Sequence, residues 1–249
     1  MNLEVVEIDD DGESTERAAY EHPLLIRWCH WILGVSILVL IFSGLQILWA
    51  FPSFGPKIPA HGDSSFATKM PQGSVTHLAS LSNLLPLLKP VMLGGWLAGG
   101  LQWHFTFIWI FVVTGAVYLV YQVASGHYLM LMFTPADIPG VWPMVRHYFL
   151  FGPKPPQTQP YNPLQKLAYT TAVALGILAV LTGMVVYNPV QFSLLAALMG
   201  GFHWARLWHF AVMAAFLAFI AGHLIMVALH GWKNFLSMLT GWKRDPEYR

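Results

Sequence analysis

Apolar residues follow one another in four long stretches separated by polar segments rich in Pro and Gly. Each stretch has about 20 residues with no charge in its interior, enough for a helix to cross a bilayer. None alternates apolar with polar residues as the strands of a membrane barrel do. The pattern predicts an all-α integral membrane protein with a four-helix transmembrane bundle, whose spans are approximately Arg27–Trp49, Trp103–Val123, Leu167–Tyr187 and Leu207–His230.

Composition supports the membrane assignment and divides the chain. Only 10% of the residues are charged, against roughly 25% in a soluble domain. Eight of the 12 acidic residues fall within the first 21 positions, where a secretory signal would be basic. We predict a disordered acidic cytoplasmic tail at 1–21, with a docking tail as the alternative. A four-helix domain follows at 22–242, with a long outer loop at 50–102 and an inner loop at 130–163, and a cytoplasmic tail at 243–249 ends the chain.

The positions of Lys and Arg predict the orientation in a bacterial inner membrane. A cytoplasmic N-terminus leaves nine of these residues inside and four outside. Cytoplasmic loops carry the excess of Lys and Arg. Both termini are therefore expected in the cytoplasm.

Several functional classes find no support in the sequence. The net charge of +1 does not suggest nucleic-acid binding, and no phosphate-binding loop or nucleophile triad is visible. The single cysteine, Cys29, excludes an internal disulfide or a Cys-ligated iron–sulfur cluster within this chain.

Histidines within the apolar stretches carry the candidate chemistry. His209 and His223 are 14 positions apart, which is about 40° short of four helical turns and about 21 Å of rise. They share one face of the fourth span at opposite depths. His104 begins the second span at the depth of His209, and His30 begins the first span at the depth of His223.

Each depth therefore offers two imidazoles from different helices, His104 with His209 and His30 with His223. A lone intramembrane histidine is often a hydrogen-bonded polar group, but matched pairs are what six-coordinate haem b requires. We predict two haem b groups with these four axial ligands. His127 and His230 are the alternatives to test if one pair is wrong.

Small and basic residues near the pairs suggest how the haems are held. Gly34, Gly44 and Gly115 lie at offsets that favour the haem-facing side, although small residues also promote contacts between helices. Arg27 and Arg206 each precede a paired histidine by three residues, so either can clamp a haem propionate. Anchoring at the lipid headgroups is the alternative for both.

The chain resembles the dihaem cytochromes b of the bacterial group that includes the membrane subunits of nickel–iron hydrogenases and formate dehydrogenase, and it looks closest to the thiosulfate reductase cytochrome b subunit type. The stretches that carry the resemblance cover most of residues 22–242: HPLLIRWCHW, SGLQI, WHFTFIWIFVVTGAVYLVY, YNPLQKLAYT, LTGM, ARLWHF, GHLIMV and SMLTGW. Around Phe202 and His203 the chain departs from the family pattern, which leaves the identity of the partner open.

The resemblance implies the same ligand pairs and an electron-transfer role. It also implies a quinone substrate near the inner haem and a periplasmic catalytic subunit, either a molybdopterin enzyme or a hydrogenase, with or without an iron–sulfur or cytochrome c subunit. Polar residues at the inner loop that could bind a quinone are Arg146, His147, Asn162, Gln165, Lys166 and Tyr169. Two other functions stay open: a stand-alone transmembrane quinol oxidoreductase, and a His-lined proton or metal-ion transporter.

Overall fold

The computed structural model describes residues 5–8, 16–20, 22–51, 86–150, 152–153, 155–156, 160–230 and 232–244. Most of the predicted outer loop, residues 52–85, lies outside the described residues, as do residues 245–249 of the C-terminal tail. The helices that position the candidate sites are α1 Leu24–Ala50, α2 Leu97–Ala124, α3 Tyr128–Leu131, α4 Ile138–Phe149, α5 Pro163–Tyr187, α6 Ser193–Leu198, α7 Phe202–His230 and α8 Trp232–Thr240.

Four of these helices, α1, α2, α5 and α7, are long and apolar enough to cross a membrane. This confirms the predicted helical membrane bundle. The observed helices begin three to six residues before the predicted spans at α1, α2, α5 and α7.

Strands near the two chain ends pair with each other. β1 Val5–Ile8, β2 Glu16–Tyr20 and β3 Trp242–Arg244 form an antiparallel sheet in the order β1-β2-β3, with Tyr20 opposite Trp242. The disorder expected for the acidic segment at 1–21 stays a prediction, because residues 1–4, 9–15 and 21 lie outside the described residues. The sheet places the start of α1 and the end of α8 on one side of the bundle, which we call the terminal side.

The four spans pack chiefly as two helix pairs, α1 with α2 and α5 with α7. A Cβ atom added at Gly100 of α2 would lie 2.9 Å from Gln46 Cγ of α1, so the absence of a side chain allows this close approach. A buried apolar cluster joins the two helix pairs through Ile41 and Leu45 of α1 and Val212 and Phe216 of α7.

The start of α5 is fixed by polar contacts on the terminal side. Asn162 caps the helix: its Oδ1 accepts the Gln165 amide proton at 2.9 Å, and Gln165 Oε1 accepts the Asn162 amide proton at 3.0 Å. One turn into α5, Lys166 Nζ donates to Asp137 Oδ1 at 3.0 Å, and both side chains are buried. The loop before α4 is thereby joined to the first turn of α5.

Candidate haem sites

The first candidate site brings together His104 of α2 and His209 of α7. Their ring centres are 6.4 Å apart and their planes are inclined at 73°. Neither helix packs mainly against the other, because α2 belongs to one helix pair and α7 to the other. The two imidazoles therefore face each other across the junction of the helix pairs, as predicted from their matched depths.

Each imidazole of this first site has a hydroxyl partner. Ser43 Oγ of α1 lies 3.0 Å from His104 Nδ1, and Thr182 Oγ1 of α5 lies 2.9 Å from His209 Nδ1. Both hydroxyl residues are almost fully buried. The Nδ1 atom of each ring is thus engaged, which leaves Nε2 as the nitrogen available to a metal ion.

The second candidate site lies towards the terminal side and joins His30 of α1 to His223 of α7. Their ring centres are 6.0 Å apart, with planes inclined at 59°. Trp31 contacts the edge of the His30 ring, and Phe219 stacks on His223. Both imidazoles are exposed over more than a third of their surface, so this site is more open than the first.

Both separations fit a metal ion held between two imidazoles. An imidazole nitrogen binds a metal at about 2 Å, so two rings on opposite sides of one ion have their centres about 6 Å apart. The residues that the structure describes thus suit two six-coordinate haem groups. Among the described residues, no three His, Cys, Asp and Glu side chains come together.

Glycines lie beside the first site. A Cβ atom added at Gly44 would lie 3.5 Å from His104 Cε1, and one added at Gly183 would lie 3.4 Å from His209 Cε1. At Gly34 and Gly115 an added Cβ would meet no other atom within 4 Å. Gly44 thus lets an imidazole ring lie against the helix backbone, whereas Gly34 and Gly115 border open space.

The two predicted propionate ligands lie near the ends of the bundle. Arg27 Nε donates to the Met238 carbonyl of α8 at 3.4 Å, and one terminal nitrogen of Arg206 donates to the Phe51 carbonyl at 2.8 Å. Each guanidinium thus already holds a neighbouring chain segment at the level of a histidine pair. Their role towards propionates stays a prediction.

The predicted quinone residues belong to α4 and to the start of α5, two helices that pack against each other. Asn162 and Gln165 form the helix cap, and Lys166 pairs with Asp137. His147 Nδ1 lies 2.9 Å from the Gly152 carbonyl. The Tyr169 ring packs edge-on against Tyr161, and Arg146 lies in the last turn of α4.

His127, one of the alternative ligands, lies beside a tyrosine. Its Nε2 is 3.3 Å from the Tyr161 hydroxyl, and burial lowers the pKa of this imidazole below its ordinary value. His230 ends α7, and its side chain lies outside the described residues.

Residues 21–241 match the family of prokaryotic cytochrome b561 proteins. The chain belongs to that family. Among curated proteins, it is 34% identical over 220 residues to "Putative protein-methionine-sulfoxide reductase subunit YedZ1" of Azospira oryzae, which covers 88% of this chain and 96% of that relative. The family resemblance drawn from the sequence is confirmed. As a cytochrome b561 protein, the chain is a multi-pass bacterial membrane protein that binds haem b and takes part in electron transport.

Three residues beside the first pair of this cytochrome b561 protein escaped the sequence reasoning, namely Ser43, Thr182 and Gly183. Each stands in a motif that carried the family resemblance, SGLQI or LTGM. The signal that could have found them is the repeated hydroxyl–glycine pattern, Ser43–Gly44 in α1 and Thr182–Gly183 in α5.

Proposed function

We propose that this cytochrome b561 protein is a dihaem membrane subunit that passes electrons between the quinone pool and a periplasmic oxidoreductase. The observation that carries the proposal is the pairing of four histidines, His30 with His223 and His104 with His209, at two levels of one bundle. A single haem would need only one such pair.

The spacing of the pairs supports an electron path along the membrane normal. His209 and His223 lie on one helix about 21 Å apart in rise. The apolar cluster of Ile41, Leu45, Val212 and Phe216 fills the bundle between the two levels. Haem b, when bound, supplies one-electron transfer. Two imidazoles on each iron would leave no coordination position for a substrate.

The partner and the orientation form the second part of the proposal. The Azospira relative is named as a reductase subunit, so we expect a catalytic partner. A molybdopterin enzyme is the kind of partner that we propose first. Lys and Arg favour the cytoplasm for both termini. The terminal side with His30 and His223 then faces the cytoplasm, and His104 and His209 lie towards the periplasmic partner.

The quinone site is proposed at the junction of α4 and α5. Arg146 and His147 of α4 and Tyr169 of α5 carry groups that can hydrogen-bond a quinone oxygen. Asn162 and Gln165 form the helix cap, and Lys166 is in the ion pair with Asp137. We therefore expect these three residues to form the wall of the site and not to hydrogen-bond the quinone directly. The junction lies on the same side of the bundle as the more open histidine pair.

Haem content of the purified chain tests the proposal. We expect two haem b groups per polypeptide in the pyridine haemochrome assay, and one in either His30→Ala or His104→Ala. His203→Ala is the matched control, because His203 lies on α7 outside both pairs. One haem in the wild-type chain would mean that one of the two histidine pairs does not bind haem. A chain without haem would contradict the proposal and favour the His-lined proton or metal-ion transporter. Co-purification of a large partner would separate the subunit from a stand-alone oxidoreductase.

A further inference from the structure

The first site is built from two matching halves. In one half, Ser43 and Gly44 of α1 face His104 of α2, and in the other, Thr182 and Gly183 of α5 face His209 of α7. Each hydroxyl–glycine unit thus serves the histidine on the helix that packs against its own. The same local solution occurs in both helix pairs.

The hydrogen-bond inventory fixes the direction of each contact. A hydroxyl has one proton. Ser43 Oγ lies 2.7 Å from the Val39 carbonyl and Thr182 Oγ1 lies 2.7 Å from the Leu178 carbonyl, one turn earlier in their own helices. Since the proton goes to that carbonyl, the hydroxyl oxygen accepts a hydrogen bond from the imidazole. Both rings of the first site therefore carry their proton on Nδ1.

The adjacent glycine leaves space beside each ring. The Cε1 atoms of His104 and His209 lie 3.5 Å and 3.4 Å from the Cβ positions of Gly44 and Gly183. An alanine Cβ at either position would only touch the ring, whereas a side chain that branches at Cβ would displace it. Hydroxyl and glycine together fix where each ring lies and which nitrogen it presents.

We propose that Ser43 and Thr182 are positioning residues that hold His104 and His209 as Nδ1-protonated ligands and thereby set the first haem apart from the second. The inference rests on the proposed dihaem function. Donation from Nδ1 makes an imidazole a more basic ligand, which favours the oxidised iron and lowers its midpoint potential. The second pair has aromatic neighbours instead, Trp31 beside His30 and Phe219 stacked on His223.

Redox titration of the haem absorbance bands tests the inference. In Ser43→Ala and in Thr182→Val, we expect the midpoint potential of one haem to rise and its affinity for the chain to fall by roughly 10- to 100-fold. The other haem should keep its wild-type midpoint. The haem that is lost in His104→Ala identifies which one must respond.

Two kinds of control separate positioning from general disturbance. Ser36→Ala removes an equally buried hydroxyl of α1 that donates to the Ile32 carbonyl at 2.7 Å, and it should leave both midpoints unchanged. Ser43→Thr and Thr182→Ser keep the hydroxyl and should retain the wild-type midpoint.

Wild-type midpoints and haem content in both Ser43→Ala and Thr182→Val would overturn the inference, as would an equal shift in Ser36→Ala. A wild-type chain without two haems would instead refute the proposed function. A wild-type chain with two haems and unresponsive variants would refute this inference alone.

Discussion

The buried ion pair between Asp137 and Lys166 should stabilise the terminal side of the bundle. Asp137 belongs to the short 3-10 turn Pro135–Asp137 before α4. Its Oδ1 accepts a hydrogen bond from the Lys166 ammonium at 3.0 Å. Its Oδ2 accepts hydrogen bonds from the Thr134 amide at 2.9 Å and from the Thr134 hydroxyl at 2.8 Å. One carboxylate therefore closes a turn and holds it against α5.

The expected magnitude follows from what each substitution leaves behind. Asp137→Asn replaces the carboxylate that accepts from Lys166 with a neutral amide, which weakens this contact by about 1–3 kcal/mol. Lys166→Met leaves a carboxylate that still has both Thr134 donors, so its cost should be smaller. Removing both charges leaves no unpaired ion and should cost less than the two single changes together.

Thermal unfolding in detergent, followed for the four combinations of these two positions, measures the coupling. We expect a coupling free energy of about 1–3 kcal/mol, while Lys89→Gln, which removes an exposed cation, should leave the melting temperature unchanged. Additive costs in the double variant would refute the assignment of a stabilising pair.

Acid provides an independent check on the same contact. The Thr134 amide and hydroxyl, followed by the Lys166 ammonium, hold the pKa of Asp137 below its ordinary value of 3.8. The folded state therefore binds this proton less readily than the unfolded state does. The stabilisation is complete above that ordinary pKa and is lost as the pH falls through the lowered one. In Asp137→Asn this acid-dependent loss should disappear.

Three further predictions concern other contacts. Gly183→Val should displace the His209 ring, since a Cβ added at that position would lie 3.4 Å from His209 Cε1. Haem content should fall by one haem per chain, whereas Gly183→Ala should keep both haems. Phe216→Ala should lower thermal stability by about 1–3 kcal/mol, less than in a water-soluble core because lipid replaces water as the unfolded surroundings, with the exposed Leu217→Ala as control. Trp31→Phe removes an Nε1–H that donates at 3.3 Å to a carbonyl of α8, so hydrogen exchange should quicken in α8 and stay unchanged in α5.

The bundle and the histidine pairs could be predicted because both depend on helical periodicity alone. An uncharged stretch long enough to span a bilayer must satisfy its own backbone hydrogen bonds, so it forms a helix. The interval from His209 to His223 fixes a face and a rise. Their partners, His104 and His30, then follow from the direction of each span.

Other features depend on contacts between distant parts of the chain. Ser43 and Thr182 look like ordinary helical hydroxyl residues that bond back to a carbonyl one turn earlier, and only the packing of neighbouring helices brings an imidazole to them. The pairing of β2 with β3 joins backbone groups some 220 positions apart, which no local pattern reveals. Asp137 and Lys166 are likewise joined across the loop and α4.

The arrangement of the histidines links cofactor binding to assembly of the bundle. Direct packing is strongest within the α1–α2 and α5–α7 helix pairs, yet both histidine pairs cross from one helix pair to the other. A metal centre held by each pair would therefore tie together the parts that share the fewest contacts. Any group that binds only the assembled state stabilises that state. Loss of either haem should thus loosen the junction between the helix pairs, while the helices within each pair stay packed through contacts such as Gly100 against Gln46.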